Sequence, residues 1–213
     1  MTRTMTATLA AALLAASFGA PLLAQSDRAA DADLPQILRD LGLTDTRTRP
    51  DDGETDIVGR LPGGGWIKAE ARGDRLFEVK SDGAALPASL VAAMIPETVR
   101  TDPRFADIAR LTEIEIDDRE IEIEGVTDDG MRVEMELDRN GRMKEYKLER
   151  DDRRSMNRDA ARARLAELGY TDIGFVERGG RHVEAMALNP NGERVEVRLD
   201  DRGRVERERA WLR

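Results

Sequence analysis

The sequence contains no cysteine, one histidine, and only two Trp, two Tyr and four Phe in 213 residues. Without cysteine there are no disulfides, no thiolate metal ligands and no lipid attachment at a cysteine. A single histidine, His182, excludes the common zinc sites, which draw on several His and Cys ligands. It leaves bis-histidine haem ligation and a Ser-His-Asp array without support. So few aromatics mean that any core is built from Leu, Ile, Val, Met and Ala. Basic charge is in deficit, with 34 Lys and Arg against 43 Asp and Glu and a net charge of −9. That balance disfavours nucleic acid and anionic membrane surfaces as partners. Long apolar runs are scarce as well: none occurs after residue 24, so no membrane insertion is expected of the mature chain.

The first residues, "MTRTMTATLAAALLAASFGAPLLAQSD", carry the parts of a secretory signal. Arg3 supplies the positive start, Ala7 to Ala20 the apolar stretch, and cleavage is expected after Ala24. Pro21 disfavours a cut after Ala20. A cysteine-free exported chain suits a periplasmic or secreted protein that relies on packing alone.

Self-similarity organises the remainder. "GMRVEMELDRNGRMKE" (Gly130 to Glu145) matches "GERVEVRLDDRGRVER" (Gly192 to Arg207) at an offset of 62 without a gap. A weaker copy, "IKAEARGDRLFEVKSDG" (Ile67 to Gly83), precedes them, with Phe77, Val79 and Asp82 in the roles of Val133, Met135 and Asp138. In Met131 to Asp138 the apolar residues Val133, Met135 and Leu137 alternate with charged ones, which is the period of a half-buried strand. "DRNG" and "DDRG" then supply turns, as "TDDG" and "NPNG" do one strand earlier.

Helices precede these strands. Asp33 is the expected cap of one, with Pro35 in its first turn and Leu34, Ile37, Leu38 and Leu41 on its face. A second begins near Pro87, and a short third has Asp102 as cap and Pro103 at its first position. Asn157 caps a fourth, whose face is Ala161, Leu165 and Leu168 and whose end is Gly169. The predicted fold is therefore α+β: tandem units, each a helix packed on one face of its own antiparallel sheet. The expected divisions are a signal peptide at 1–24 and units at 25–88, 89–154 and 155–213.

The last unit resembles a PepSY domain. The residues that carry the resemblance are Gly169, Tyr170, Val176, Glu177, Gly192, Val195, Glu196, Val197, Asp200, Gly203 and Val205. It is fullest over 155–210, weaker over 89–150 and loose over 33–86. The resemblance implies a small exported binding module of the kind found in propeptides of thermolysin-like metallopeptidases, with a role in holding peptidases inactive. It transfers no catalytic motif.

Several candidates for chemistry have bland explanations. "LPGGGW" (Leu61 to Trp66) lacks the Lys-Ser/Thr of a P-loop and reads as a hairpin connection. Met135 and Met143 occupy the positions of Val197 and Val205, so they read as core or edge filling rather than copper ligands. Trp66, at a strand start, is open to two readings, a partner contact or core packing. The main candidate is acidic. Glu113, Glu115, Glu122, Glu124, Glu134 and Glu136 are expected to project from neighbouring strands onto one exposed face of the unit 89–154, which carries 12 basic against 19 acidic residues. Like charges opposite one another on a sheet repel, so such a face gains from a cation or a basic partner. Calcium takes 6 to 8 oxygens in a compact cage, which a flat sheet supplies poorly.

The sequence thus points to a non-enzymatic binding or regulatory protein without a cofactor. Its expected partner is an envelope protein such as a peptidase, and the alternative is low-affinity divalent-cation binding. The Arg-rich last strand (Arg202, Arg204, Arg207, Arg209) is expected to dock on the acidic unit.

Overall fold

The computed structural model describes residues 34–151 and 153–211; the signal segment and Asp33 lie outside the described residues. The first helix, α1 (Gln36–Asp40), is followed by β1 (Thr44–Asp51), β2 (Glu54–Arg60), β3 (Trp66–Arg72) and β4 (Arg75–Asp82). Three short helices come next: α2 (Ala88–Met94), α3 (Glu97–Arg100) and α4 (Pro103–Ala106). Then follow β5 (Arg110–Ile116), β6 (Glu120–Val126), β7 (Arg132–Asp138) and β8 (Met143–Glu149). The last part comprises α5 (Arg158–Glu167), β9 (Val176–Arg178), β10 (His182–Leu188), β11 (Arg194–Asp200) and β12 (Val205–Ala210).

Most local signals read from the sequence form the expected elements; the first helix differs, starting at Gln36 with Pro35 as its N-cap and no side-chain cap. Asn157 Oδ1 accepts the Ala160 N–H, and Asp102 Oδ1 accepts the Arg104 N–H ahead of Pro103. Val133, Met135 and Leu137 are buried on one face of β7. Asp138 accepts the N–H groups of Asn140 and Arg142, and Asp200 accepts those of Arg202 and Arg204, so the offset of 62 holds at the level of single hydrogen bonds. Met135 is fully buried and Met143 packs against the same core. "LPGGGW" is a hairpin connection in which Leu61 and Gly65 are joined by a backbone hydrogen bond.

The expected architecture of tandem helix-plus-sheet units is not what forms. Strands β1 to β8 make one eight-stranded antiparallel sheet in sequence order, and β12-β11-β10-β9 make a second of four strands. The join is the pairing of β4 with β5, where Glu78, Val79 and Lys80 face Glu115, Ile114 and Glu113. The physical reason lies at the strand edges. A unit ending at β4 would leave a row of unpaired N–H and C=O groups, and β5 presents the complementary row. The helices of this region have five, seven, four and four residues. None is long enough to cover a sheet by itself, so they share one. Leu38, Leu90, Ile95 and Val99 bury against Ile57, Ile67, Val79, Ile114, Ile123, Val133 and Met135 in a single core.

Two further expectations are corrected. In β4 the register shifts between Glu70↔Glu78 and Ala71↔Leu76, which leaves Phe77 as the extra residue. A bulge of this kind reverses which side chain faces the core. Leu76 is buried in place of Phe77, whose ring lies under the guanidinium groups of Arg72 and Arg75. Asp82 does not serve its turn as Asp138 does. It is buried at 1 % side-chain exposure, paired with Arg158 and Arg162 of α5, and accepts the Val176 N–H at 2.8 Å.

That carboxylate is one of three features that join the sheets. The second is an apolar plug of Val58, Phe175, Met186 and Trp211, with Trp66 packed against it. The third is a polar layer in which Lys80 meets Glu177 at 2.8 Å and Arg49 meets Glu196 at 3.6 Å. The Arg-rich last strand plays no such part. Arg207 and Arg209 bond Glu184 and Glu196 within their own sheet, and Arg204 bonds Asp200. Cross-strand neighbours lie about 5 Å away and are engaged first: Arg207 stands opposite Arg198, which stands opposite Glu184.

Candidate functional site

The helix-free face of the large sheet is ruled by two rows of charge running across its strands. In one row, successive Cα partners are Val58, Lys68, Lys80, Glu113, Glu124, Glu134 and Lys147, from β2 to β8. In the next row they are Asp56, Glu70, Glu78, Glu115, Glu122, Glu136 and Glu145. Seven strands in succession thus contribute seven carboxylates to a single line. At the strand spacing of about 4.8 Å, each carboxylate has another acid on one or both sides.

Cations compensate the ends of the acidic row and not its middle. Asp56 is held by Arg49, Glu78 by Lys80 at 2.8 Å, Glu136 by Lys144, and Glu145 by Lys147 at 3.0 Å. Among the described residues, no ion pair or side-chain hydrogen bond engages Glu115 or Glu122. These two are direct cross-strand partners. Burial, then Glu78, raises the Glu115 carboxyl above its usual range; burial, then Glu115 and Glu120, raises that of Glu122.

Nearer the second sheet the effect is larger. Burial, followed by Glu124 and Glu78, pushes Glu113 up to about 7 against the opposing pull of Lys80. Glu70 also rises to about 7, through burial and then Glu78, with Lys68 opposing. Burial acts against Lys80, yet Glu113, Glu177 and Glu78 hold its ammonium above its ordinary range. Glu177 is lowered despite its burial because Lys68 and Lys80 face it.

The six glutamates singled out from the sequence therefore share a face but divide between the rows. Glu113, Glu124 and Glu134 stand in the first, where Lys80, Arg132, Arg153 and Lys147 pair with them. Glu115, Glu122 and Glu136 stand in the second. Trp66 stands apart from both groups, half-buried against the plug with its ring about 3.5 Å from where a Cβ on Gly174 would lie. Asp56, Glu70, Glu78 and Glu145 were missed as members of the row. Their alternation in "TDIV", "KAEA", "FEVK" and "MKEYK" was visible, but the order and register of eight strands was not.

Carboxylate oxygens of Glu78, Glu113 and Glu115 lie within 4.8 Å of one another, where the two adjacent rows pass from β4 to β5. Three hard oxygen donors at this spacing suit a divalent cation that keeps part of its water. His182 is on the second sheet, in register with Asp200, and takes no part.

No protein-family model matches the chain. No curated protein matches it either. Two solved structures are similar over part of its length. One is a candidate calcium-regulated periplasmic protein from Bacteroides thetaiotaomicron, with 15% identity and a TM-score of 0.38, covering 55% of this chain and 92% of the other. The second, a candidate periplasmic protein of the DUF2874 family from Bacteroides vulgatus, has 18% identity at the same TM-score and coverage. No helix among the described residues is long and apolar enough to cross a membrane.

Proposed function

We propose that this chain is an exported, non-enzymatic binding protein whose acidic row receives a basic segment of another envelope protein. The observation that supports this reading is the pair Glu115 and Glu122. They stand side by side at the middle of seven aligned carboxylates, without a cation of their own. Strands that place like charges opposite one another lose stability. Lys or Arg side chains from a partner would restore it, and their spacing along an extended segment, about 6.6 Å for alternate residues against about 4.8 Å between strands, puts roughly two of them over every three strands. The signal-like start places the encounter in the periplasm or outside the cell. The resemblance to PepSY domains makes a peptidase the first partner to test.

The test is a crosslinked pull-down of the tagged mature chain from its native periplasm, read by mass spectrometry, beside the variant E115Q/E122Q. One envelope protein enriched by the wild type and lost from the variant supports the reading. Equal recovery by both chains would remove the acidic row from the interaction.

The closeness of three carboxylates favours a second reading, a low-affinity divalent-cation site at Glu78, Glu113 and Glu115. Titration with calcium separates the two. Cation binding is lost in E78Q and retained in E122Q, whereas capture of a basic segment is weakened by E122Q.

A further inference from the structure

A cationic cleft of about 330 Å³ lies between β5 to β7 and the residues leading into α5. Five arginines line it: Arg110, Arg132, Arg153, Arg158 and Arg178, with Lys80 at its inner wall. An outer extension of about 520 Å³ shares that wall and adds Arg154 and Arg181. Four carboxylates also line the cleft, Glu113, Glu124, Asp151 and Glu177. All four are already committed to cations, Glu113 to Lys80 at 3.3 Å. Glu177 is held by Lys68 and Lys80, Glu124 by Arg132 and Arg153, and Asp151 by Arg178 and Arg153.

The arginines are left in excess. Among the described residues, no ion pair or hydrogen bond engages the side chain of Arg110. Arg158 shares one carboxylate, Asp82, with Arg162. Burial, and repulsion from Arg153, Arg178 and Arg110, pull Arg158 below its ordinary value although Asp82 opposes them. Guanidinium groups crowded in a half-buried cleft repel one another, and each presents a planar fork of donors that matches the oxygens of phosphate or carboxylate. The volume lies within the range of small-molecule sites.

We infer that this cleft binds a small oxyanion ligand through a phosphate or carboxylate group, with Arg110, Arg153 and Arg158 as its main contacts. The site is separate from the acidic row and opposite to it in sign. The residues leading into α5 thereby form the wall that carries Arg153 and Arg158.

The experiment is calorimetric titration of the mature chain with inorganic phosphate and, separately, with citrate, at constant ionic strength. Saturable 1:1 binding of either anion is expected, weakened at least tenfold in R110Q. Arg110 is exposed and partnerless, so that variant should keep its fold, to be checked by an unchanged melting temperature. Binding of phosphate alone assigns a phosphate ligand, and binding of citrate alone assigns a carboxylate. E115Q/E122Q should bind no more weakly than wild type. Saturable binding by neither anion, or equal binding by wild type and R110Q, would overturn the inference.

Discussion

At the residue scale, three aspartates that align in sequence do different work. Asp138 and Asp200 each close a turn through two backbone N–H groups, and those bonds hold both carboxyls below their usual range. Asp82 aligns with them in sequence but is buried, and its oxygens face Arg158, Arg162 and the Val176 N–H. Removing its charge leaves two arginines and one N–H facing a neutral group at the junction of the sheets. D82N is expected to cost about 2–3 kcal/mol, the scale of a lost charge-assisted hydrogen bond, because both arginines retain some access to water. Urea unfolding would measure it. A loss no larger than that of the turn variant D200N would show that Asp82 is not a junction residue.

At the element scale, β4 and the acidic row carry the lesson. Alternation in "DRLFEVKSD" implies a strand but cannot reveal that one extra residue shifts its register, since both Leu76 and Phe77 are apolar. Only the pairing with β3 decides it, by placing Ala71 opposite Leu76. The row of carboxylates has the same origin. Each strand alone shows one or two acids on its wet side, and the line exists only once eight strands are in order. If these acids repel as their raised protonation implies, E122Q should stabilise the free protein by a few tenths of a kcal/mol, as for relieved like-charge pairs on a sheet. Denaturant midpoints of E122Q and wild type test this; a destabilised variant would mean that Glu122 has a cationic partner.

At the scale of the whole molecule, the polar layer between the sheets makes stability depend on pH. Glu70 and Glu113 titrate near 7 in the fold against 4.5 for a free glutamate. Between those values the folded state holds protons that the unfolded state has released, so stability falls as pH rises from about 4.5 to 7. Glu177, Asp151, Asp138 and Asp200 are lowered instead, so their contribution is lost as pH falls through the acid range. The melting temperature should therefore peak near pH 5 and decline by a few degrees towards pH 8. E113Q should flatten the neutral limb and leave the acid limb in place. A wild-type curve that is flat from pH 5 to 8 would show that the two carboxyls are not held protonated.

The sequence by itself determined the strands, the caps at Asp102 and Asn157 and the turns at Asp138 and Asp200, because each depends on neighbours within a few residues. Asn157 needs only Ala160, Asp138 only Asn140 and Arg142, and the alternation of Val133, Met135 and Leu137 only one buried face. It also identified six of the glutamates on the wet face. Tertiary structure alone decided that eight strands share one sheet, that Asp82 joins that sheet to the second, and that Asp56, Glu70, Glu78 and Glu145 extend the acidic row. The reason is physical. Hydrogen bonding between strand edges is nearly indifferent to side-chain identity, so the choice of which edges meet is made by long-range packing and charge, not by local pattern.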